Sequence, residues 1–400
     1  MRIVSLTPFV LGALLTLVVP SPAAGFTLKP FGYIKADLAV DMGNPNGIST
    51  GTSGESGKGT GFGGNYVRWI DPKPEDRPTT TTLHARQSRL GFDFIADKVG
   101  ETEVMGRIET DFTNTSAEYA YMLKLRKAFL KVSTPRYELL AGQESDLMSP
   151  LVPETVNYLV GWWAGNVGFR RPQIRLTAKN PLGPDKGFDI ALAVERAMGT
   201  DSTVDNYDVA MPVLAARFGY RSPALSFGLS GHYGKEREYF KAASAEAGPT
   251  SEVFDTWSGN LDLSLNLSKS LTFLGEFYYG KNMDAFFGGI GQGIMIPDGE
   301  TENVAVTSMG GWLDLGFVAS EKLKLNLGAA IDLPKEDDLK IGARLSNMSV
   351  FANGYYTLVK DVQLALELTY WKTGYKEAEG ADELDSDDMR AQLAFIYNFR

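Results

Sequence analysis

Met389-Arg390-Ala391-Gln392-Leu393-Ala394-Phe395-Ile396-Tyr397-Asn398-Phe399 is the stretch on which the reading of the chain turns. Its odd positions are Met, Ala, Leu, Phe, Tyr and Phe, so a strand here carries one unbroken apolar face, with a period of 2 rather than 3.6. The rhythm recurs upstream. Leu261, Leu263, Leu265 and Leu267 alternate with Asn260, Asp262, Ser264 and Asn266. Leu323, Leu325 and Leu327 alternate with Lys324 and Asn326, and Val362, Leu364, Leu366, Leu368 and Tyr370 with Gln363, Glu367 and Thr369.

Sixteen such segments can be traced, over 28–40, 82–96, 101–113, 122–134, 136–144, 172–180, 187–197, 212–221, 224–236, 256–268, 271–281, 307–319, 322–332, 345–358, 361–373 and 387–399. The gaps alternate between tight turns, such as Ser222-Pro223 and Ser320-Glu321, and long loops rich in Gly, Ser and acids. An even strand count with all long loops at one end predicts an all-β fold, a 16-stranded antiparallel transmembrane β-barrel of the porin type. A soluble sandwich or β-helix also alternates, but gives no reason for the loop asymmetry. Closure predicts that Lys29 to Val40 pairs with Asp387 to Phe399, with both ends on the short-turn side.

Composition narrows function. The chain has 400 residues, no Cys, and two histidines, His84 and His232, which excludes disulfides, thiolate chemistry and imidazole-rich metal centres. With 49 acids against 39 bases, a basic nucleic-acid footprint is absent. Met1-Arg2, an apolar run from Ile3 to Val19 and the small residues Ser21, Ala23, Ala24 and Gly25 read as a signal peptide over 1–24, leaving 25–400 as the barrel. A single-span anchor is the rival reading of that run. Export and the apolar outer face predict an outer-membrane location, in contact with lipid and lipopolysaccharide.

Leu28-Lys29-Pro30-Phe31-Gly32-Tyr33-Ile34-Lys35-Ala36-Asp37, Ala85-Arg86-Gln87-Ser88-Arg89-Leu90-Gly91-Phe92, Gly142-Gln143 and Gly165-Asn166-Val167-Gly168-Phe169-Arg170-Arg171-Pro172-Gln173-Ile174-Arg175 together resemble the DcaP-like outer-membrane porins. The resemblance covers the mature chain and implies a homotrimer that passes small anionic solutes, dicarboxylates above all. Two departures stand out. Better-known members begin with a helical coiled-coil extension, whereas this sequence enters its first strand directly after the signal. The barrel signature ordinarily ends on an aromatic, whereas Arg400 follows Phe399.

Strand phase assigns the wall of the pore. With Leu90, Phe92, Ile108, Leu125, Phe129, Ile174 and Phe218 facing lipid, Arg89, Arg107, Lys124, Arg126, Arg175 and Arg217 face the lumen; Arg170 and Arg171 join them as candidate anion-binding residues. Guanidinium forks match carboxylates and raise the local anion concentration. The alternative is that these cations pair with Glu103, Glu109 and Asp111 and only keep the wall solvated. The apolar third long loop, 144–171, is expected to fold inward and narrow the pore, with Leu147, Leu151, Val152, Tyr158, Leu159, Trp162 and Trp163 packing on the wall. Its acids Glu144, Asp146 and Glu154 would then oppose the cations across the constriction. An outside loop capping a subunit contact is the other reading.

Arg86, Lys127 and Lys131 share the parity of lipid-facing residues, which calls for a bulge or a subunit interface; the interface is the favoured expectation. Gly54-Glu55-Ser56-Gly57-Lys58-Gly59 fails as a phosphate loop, and the acids from Glu377 to Asp388 read as a solvated loop rather than a lipopolysaccharide bridge. No metal or cofactor is expected. Two alternatives to the dicarboxylate channel remain: a phosphate-type anion porin, and an outer-membrane enzyme of lipase type. The second is weakened because His84 and Ser88 stand four residues apart, roughly 13 Å along a strand.

Overall fold

The computed structural model describes residues 25–42, 69–70, 79–113, 122–158, 160–196, 211–240, 250–380 and 384–400. The expected signal peptide over 1–24, the Gly54 to Gly59 run, Leu159 and two of the acids in the last loop, Asp382 and Glu383, lie outside them. Strands follow one another as β1 (Phe26–Met42), β2 (Thr80–His84), β3 (Arg89–Ala96), β4 (Glu103–Asp111), β5 (Lys124–Ser133), β6 (Tyr137–Ser145), β7 (Arg170–Gly183), β8 (Lys186–Glu195), β9 (Met211–Arg221) and β10 (Leu225–Phe240). They continue as β11 (Thr250–Asn266), β12 (Leu271–Lys281), the short pair β13 (Ile294–Met295) and β14 (Val304–Ala305), β15 (Thr307–Ser320), β16 (Leu323–Pro334), β17 (Arg344–Val359), β18 (Val362–Tyr375) and β19 (Asp385–Phe399). Apart from β13 and β14, all belong to one antiparallel sheet, in which β2 and β3 are two halves of a single stave; the barrel therefore has sixteen staves.

Closure follows the expected seam: Gly32 to Met42 of β1 pairs with Phe399 to Met389 of β19, so no edge is left along this join. The outward face is apolar, with Leu192, Leu229, Leu313, Leu327, Leu366 and Phe395 all exposed. The inward face is polar, with Asp262, Asn326, Asn353, Glu367, Arg390 and Gln392 among its buried residues. A water-soluble fold inverts that arrangement; a membrane barrel requires it.

The charges that broke the alternation mark two irregularities. On the second stave, Asp37 faces His84 and Tyr33 faces Arg89, so residues 85–88 oppose the shorter run 34–36. The extra residue switches the phase, letting Leu83 and Leu90 both point outward while Arg86 is buried. On β5, Glu109 pairs with Lys127 and Thr110 with Leu125, leaving Arg126 as the bulged residue. Beyond it Lys127, Phe129 and Lys131 turn inward, Lys127 to Glu144 at 2.5 Å and Lys131 to Glu138 at 3.9 Å. The expectation of a lipid-facing Phe129 is therefore corrected, and register shifts rather than a subunit interface account for these charges: the backbone turns Arg86, Lys127 and Lys131 away from the outer face.

Candidate functional site

The loop between β6 and β7 turns into the barrel. Three inward acids on the far wall hold its backbone. Glu276 of β12 accepts from Leu151 N–H at 2.8 Å and from the Ser149 hydroxyl; Asp314 of β15 accepts from Glu154 N–H at 2.7 Å; Glu367 of β18 accepts from Val156 and Asn157 N–H at 2.6 and 3.1 Å. Small wall residues make room for it: Leu147 packs on Ala191, Ala193 and Ala215, and Val156 on Ala365 and Ala394. Each acid satisfies loop N–H groups that the lumen would otherwise leave to water.

At its apex the loop touches the wall so closely that one position admits only glycine. Gly165 has φ +102°, and a Cβ there would lie 2.3 Å from the Ile331 carbonyl oxygen and 2.4 Å from that of Gly311. Gly165→Val combines this clash with a left-handed backbone strain of about 1–3 kcal/mol. The expected result is a displaced apex, read as a change in single-channel conductance with a folded barrel; an unchanged conductance would contradict this seating.

Opposite the loop stands the basic wall. Arg126 donates from Nε to Glu109 at 3.0 Å and from Nη1 to the Tyr158 hydroxyl at 2.7 Å, and it also grips Asp111. Arg89 lies 3.4 Å from Glu109. Burial alone raises the Tyr158 phenol, but the Arg126 charge, with Arg170 and Lys124 behind it, outweighs this and lowers its pKa. A cavity of about 460 Å³ separates loop from wall. Its lining carries five cations, Lys35, Arg89, Arg126, Lys127 and Arg170, against two acids, Glu109 and Asp146.

Among the expected cations, Arg89, Arg126 and Arg170 meet at this cavity, and Lys124 approaches it with its ammonium 5.8 Å from the Phe169 ring. Arg107 stays on the wall, bound through two nitrogens to Asp93 at 2.6 and 2.8 Å. Arg175 turns to Gln173 and the Ser145 carbonyl. Two expectations of anion contact are corrected. Arg171 is 0% exposed, held by the Ala285 carbonyl at 2.5 Å and stacked on Phe286. Arg217 bridges wall acids, at 2.8 Å from Asp262 and 3.8 Å from Asp189.

The transverse field expected from the loop acids is corrected as well. Glu144 pairs with Lys127, Glu154 with Lys324, and Asp146 lies 3.7 Å from Arg171 while accepting from Phe169 N–H at 2.7 Å. Burial pushes the Asp146 carboxyl up, and Arg171 pulls against that shift. Trp162 lines the cavity, whereas Trp163 is buried beside Trp69 and Ile290, and Val152 is half exposed rather than packed.

The loop between β12 and β15, for which the sequence carried no separate expectation, also folds partly inward. Trp163 N–H donates to the Phe287 carbonyl at 2.9 Å and Gly168 N–H to that of Phe286 at 2.8 Å. The His84–Ser88 pairing considered for a lipase is not made: the Ser88 hydroxyl bonds the Lys35 main chain, and His84 Nδ1 lies 3.9 Å from Asp37. His232 contacts Ser258 at 2.8 Å, but under the Phe286 ring and buried.

A sixteen-stave barrel, oily outside, charged inside and crossed by its third long loop, is a transmembrane barrel of the outer-membrane porin fold. No family profile matches the sequence, and no curated protein matches it. Among solved structures, the outer-membrane channel DcaP of Acinetobacter baumannii is similar at a TM-score of 0.70 and 19% identity, over 94% of this chain and 98% of that one. An anion-selective porin from Comamonas acidovorans gives 0.56 and 14%, over 94% and 100%. OmpT of Vibrio cholerae, in its trimer form, gives 0.55 and 10%, over 94% and 100%. At these identities the likeness is one of fold.

Proposed function

We propose that this chain is an outer-membrane diffusion channel for small hydrophilic solutes, that it prefers anions of the dicarboxylate kind, and that it works as a homotrimer without catalysing a reaction. One observation carries the selectivity. Arg170 is buried in the cavity wall, stacked 4.5 Å over Phe169, and among the described residues no acid lies within ion-pair distance of it. A guanidinium held at a hydrated bore without a carboxylate partner offers its fork to a passing anion. Arg126 and Arg89 give part of their charge to Glu109 and Asp111, yet the lining remains net cationic. The trimer rests on the fold shared with the trimeric OmpT form and on the resemblance to DcaP-like porins.

Single-channel recording of refolded protein with succinate, phosphate and lysine as competing blockers tests the reading. Succinate is expected to block most strongly and lysine least. Stronger block by phosphate would favour the phosphate-type channel, and stronger block by lysine would overturn the anion preference.

A further inference from the structure

The aromatic floor beneath Arg170 is not held by the constriction loop alone. Phe287, from the loop between β12 and β15, lies 4.7 Å from Phe169, 4.8 Å from Trp162 and 4.4 Å from Trp163. Phe169 in turn carries the Arg170 guanidinium 4.5 Å above its ring, with Trp162 at 5.8 Å. Phe287 adopts φ +65°, a conformation costly for a bulky residue, and Trp163, which bonds its carbonyl, has φ +63°. Strain of this kind persists only where the surroundings over-determine it. Here Tyr278 and Asp332 bind the following residues, Gly289 N–H to the Tyr278 hydroxyl at 3.1 Å and Ile290 N–H to Asp332 at 3.4 Å, and Arg344 Nε donates to the Ile290 carbonyl at 3.0 Å.

We infer that Phe287 is a positioning residue for selectivity: the second inserted loop wedges its ring behind Phe169 and Trp162 and so fixes the cation–π seat on which Arg170 faces the bore. The seat replaces the carboxylate that a buried guanidinium would otherwise take, and a carboxylate there would cancel the charge offered to solute. The inference rests on the anion-channel reading above.

Two variants separate the roles. Phe287→Leu keeps apolar volume and removes the π face; Phe287→Ala removes both. In each, the main-chain bonds to Trp163 and Gly168 remain available, and heat-resistant folded barrel on gels checks assembly. Loss of the seat should weaken succinate block by roughly fivefold, the size of a partly desolvated cation–π contact. Phe287→Ala and Arg170→Ala should each show it, and combining them should add little. Conductance should rise in Phe287→Ala only. An anion-selective wild type whose succinate block survives Phe287→Ala unchanged overturns this inference and leaves the channel reading standing. A wild type without anion preference overturns the reading itself.

Discussion

Arg126→Ala is expected to remove most of the anion preference and to weaken the barrel. The guanidinium serves Glu109, Asp111 and the Tyr158 phenol together, and Glu109 and Asp111 are 4% and 0% exposed. Deleting it leaves two buried carboxylates without their main partner, and breaking a buried pair in this way costs about 3–5 kcal/mol. Among the described residues, Arg89 remains within reach of Glu109, at 3.4 Å. The lining therefore loses one of its five cations, and Glu109 keeps only part of its compensation through Arg89, so the permeability ratio should move toward cations. The unfolding midpoint in denaturant should fall as well. Arg126→Lys keeps the charge without the fork and should retain selectivity better than stability. An Arg126→Ala channel with the wild-type reversal potential would remove this residue from the pore's electrostatics.

Glu276→Ala combined with Glu367→Ala should release the inserted loop between β6 and β7. Between them these acids accept four hydrogen bonds from loop residues 149–157, three of them from main-chain N–H groups. Leaving buried donors unmet costs about 1–3 kcal/mol each. Even about 2 kcal/mol in total raises the population of a detached loop by roughly thirtyfold. The double variant is expected to show larger and noisier single-channel steps with weaker solute block. Glu276→Gln with Glu367→Gln keeps one acceptor oxygen at each position but turns an NH2 group toward the donors of the other, and should fall between wild type and the alanine pair. Equal conductance in the alanine and glutamine pairs would contradict anchoring by these acids.

The barrel was legible because lipid on one face and water on the other force a period of 2 that no loop sequence obscures, and the closing strand shows it without a break. Phase read Arg89 from the residues after the irregularity at 85–88 and Arg126 from those before its own bulge, and both side chains reach the cavity. It failed just beyond, at Phe129, because a bulge adds one residue without changing composition. The glutamates and aspartate that anchor the loop were passed over as ordinary polar wall positions. Their signal was present: Glu276, Asp314 and Glu367 are lone inward acids on strands whose neighbouring inward positions are neutral, and inward alanines at 191, 193, 215, 365 and 394 leave room for a loop. What strand phase cannot reveal is pairing. Arg171 is held by a buried loop carbonyl and Arg217 by two wall aspartates, which takes both out of the bore. The inward turn at Phe287 had no sequence precedent, because glycine-rich loops inside and outside a barrel share one composition.

The central claim is a water-filled bore that is cationic at its neck. Its most direct test is the zero-current potential of the refolded wild-type channel in a planar bilayer under a KCl gradient. A potential of the sign set by chloride, shrinking in Arg126→Ala and Arg170→Ala, is the predicted result. A potential of the sign set by potassium, or a bilayer that stays silent, would contradict it.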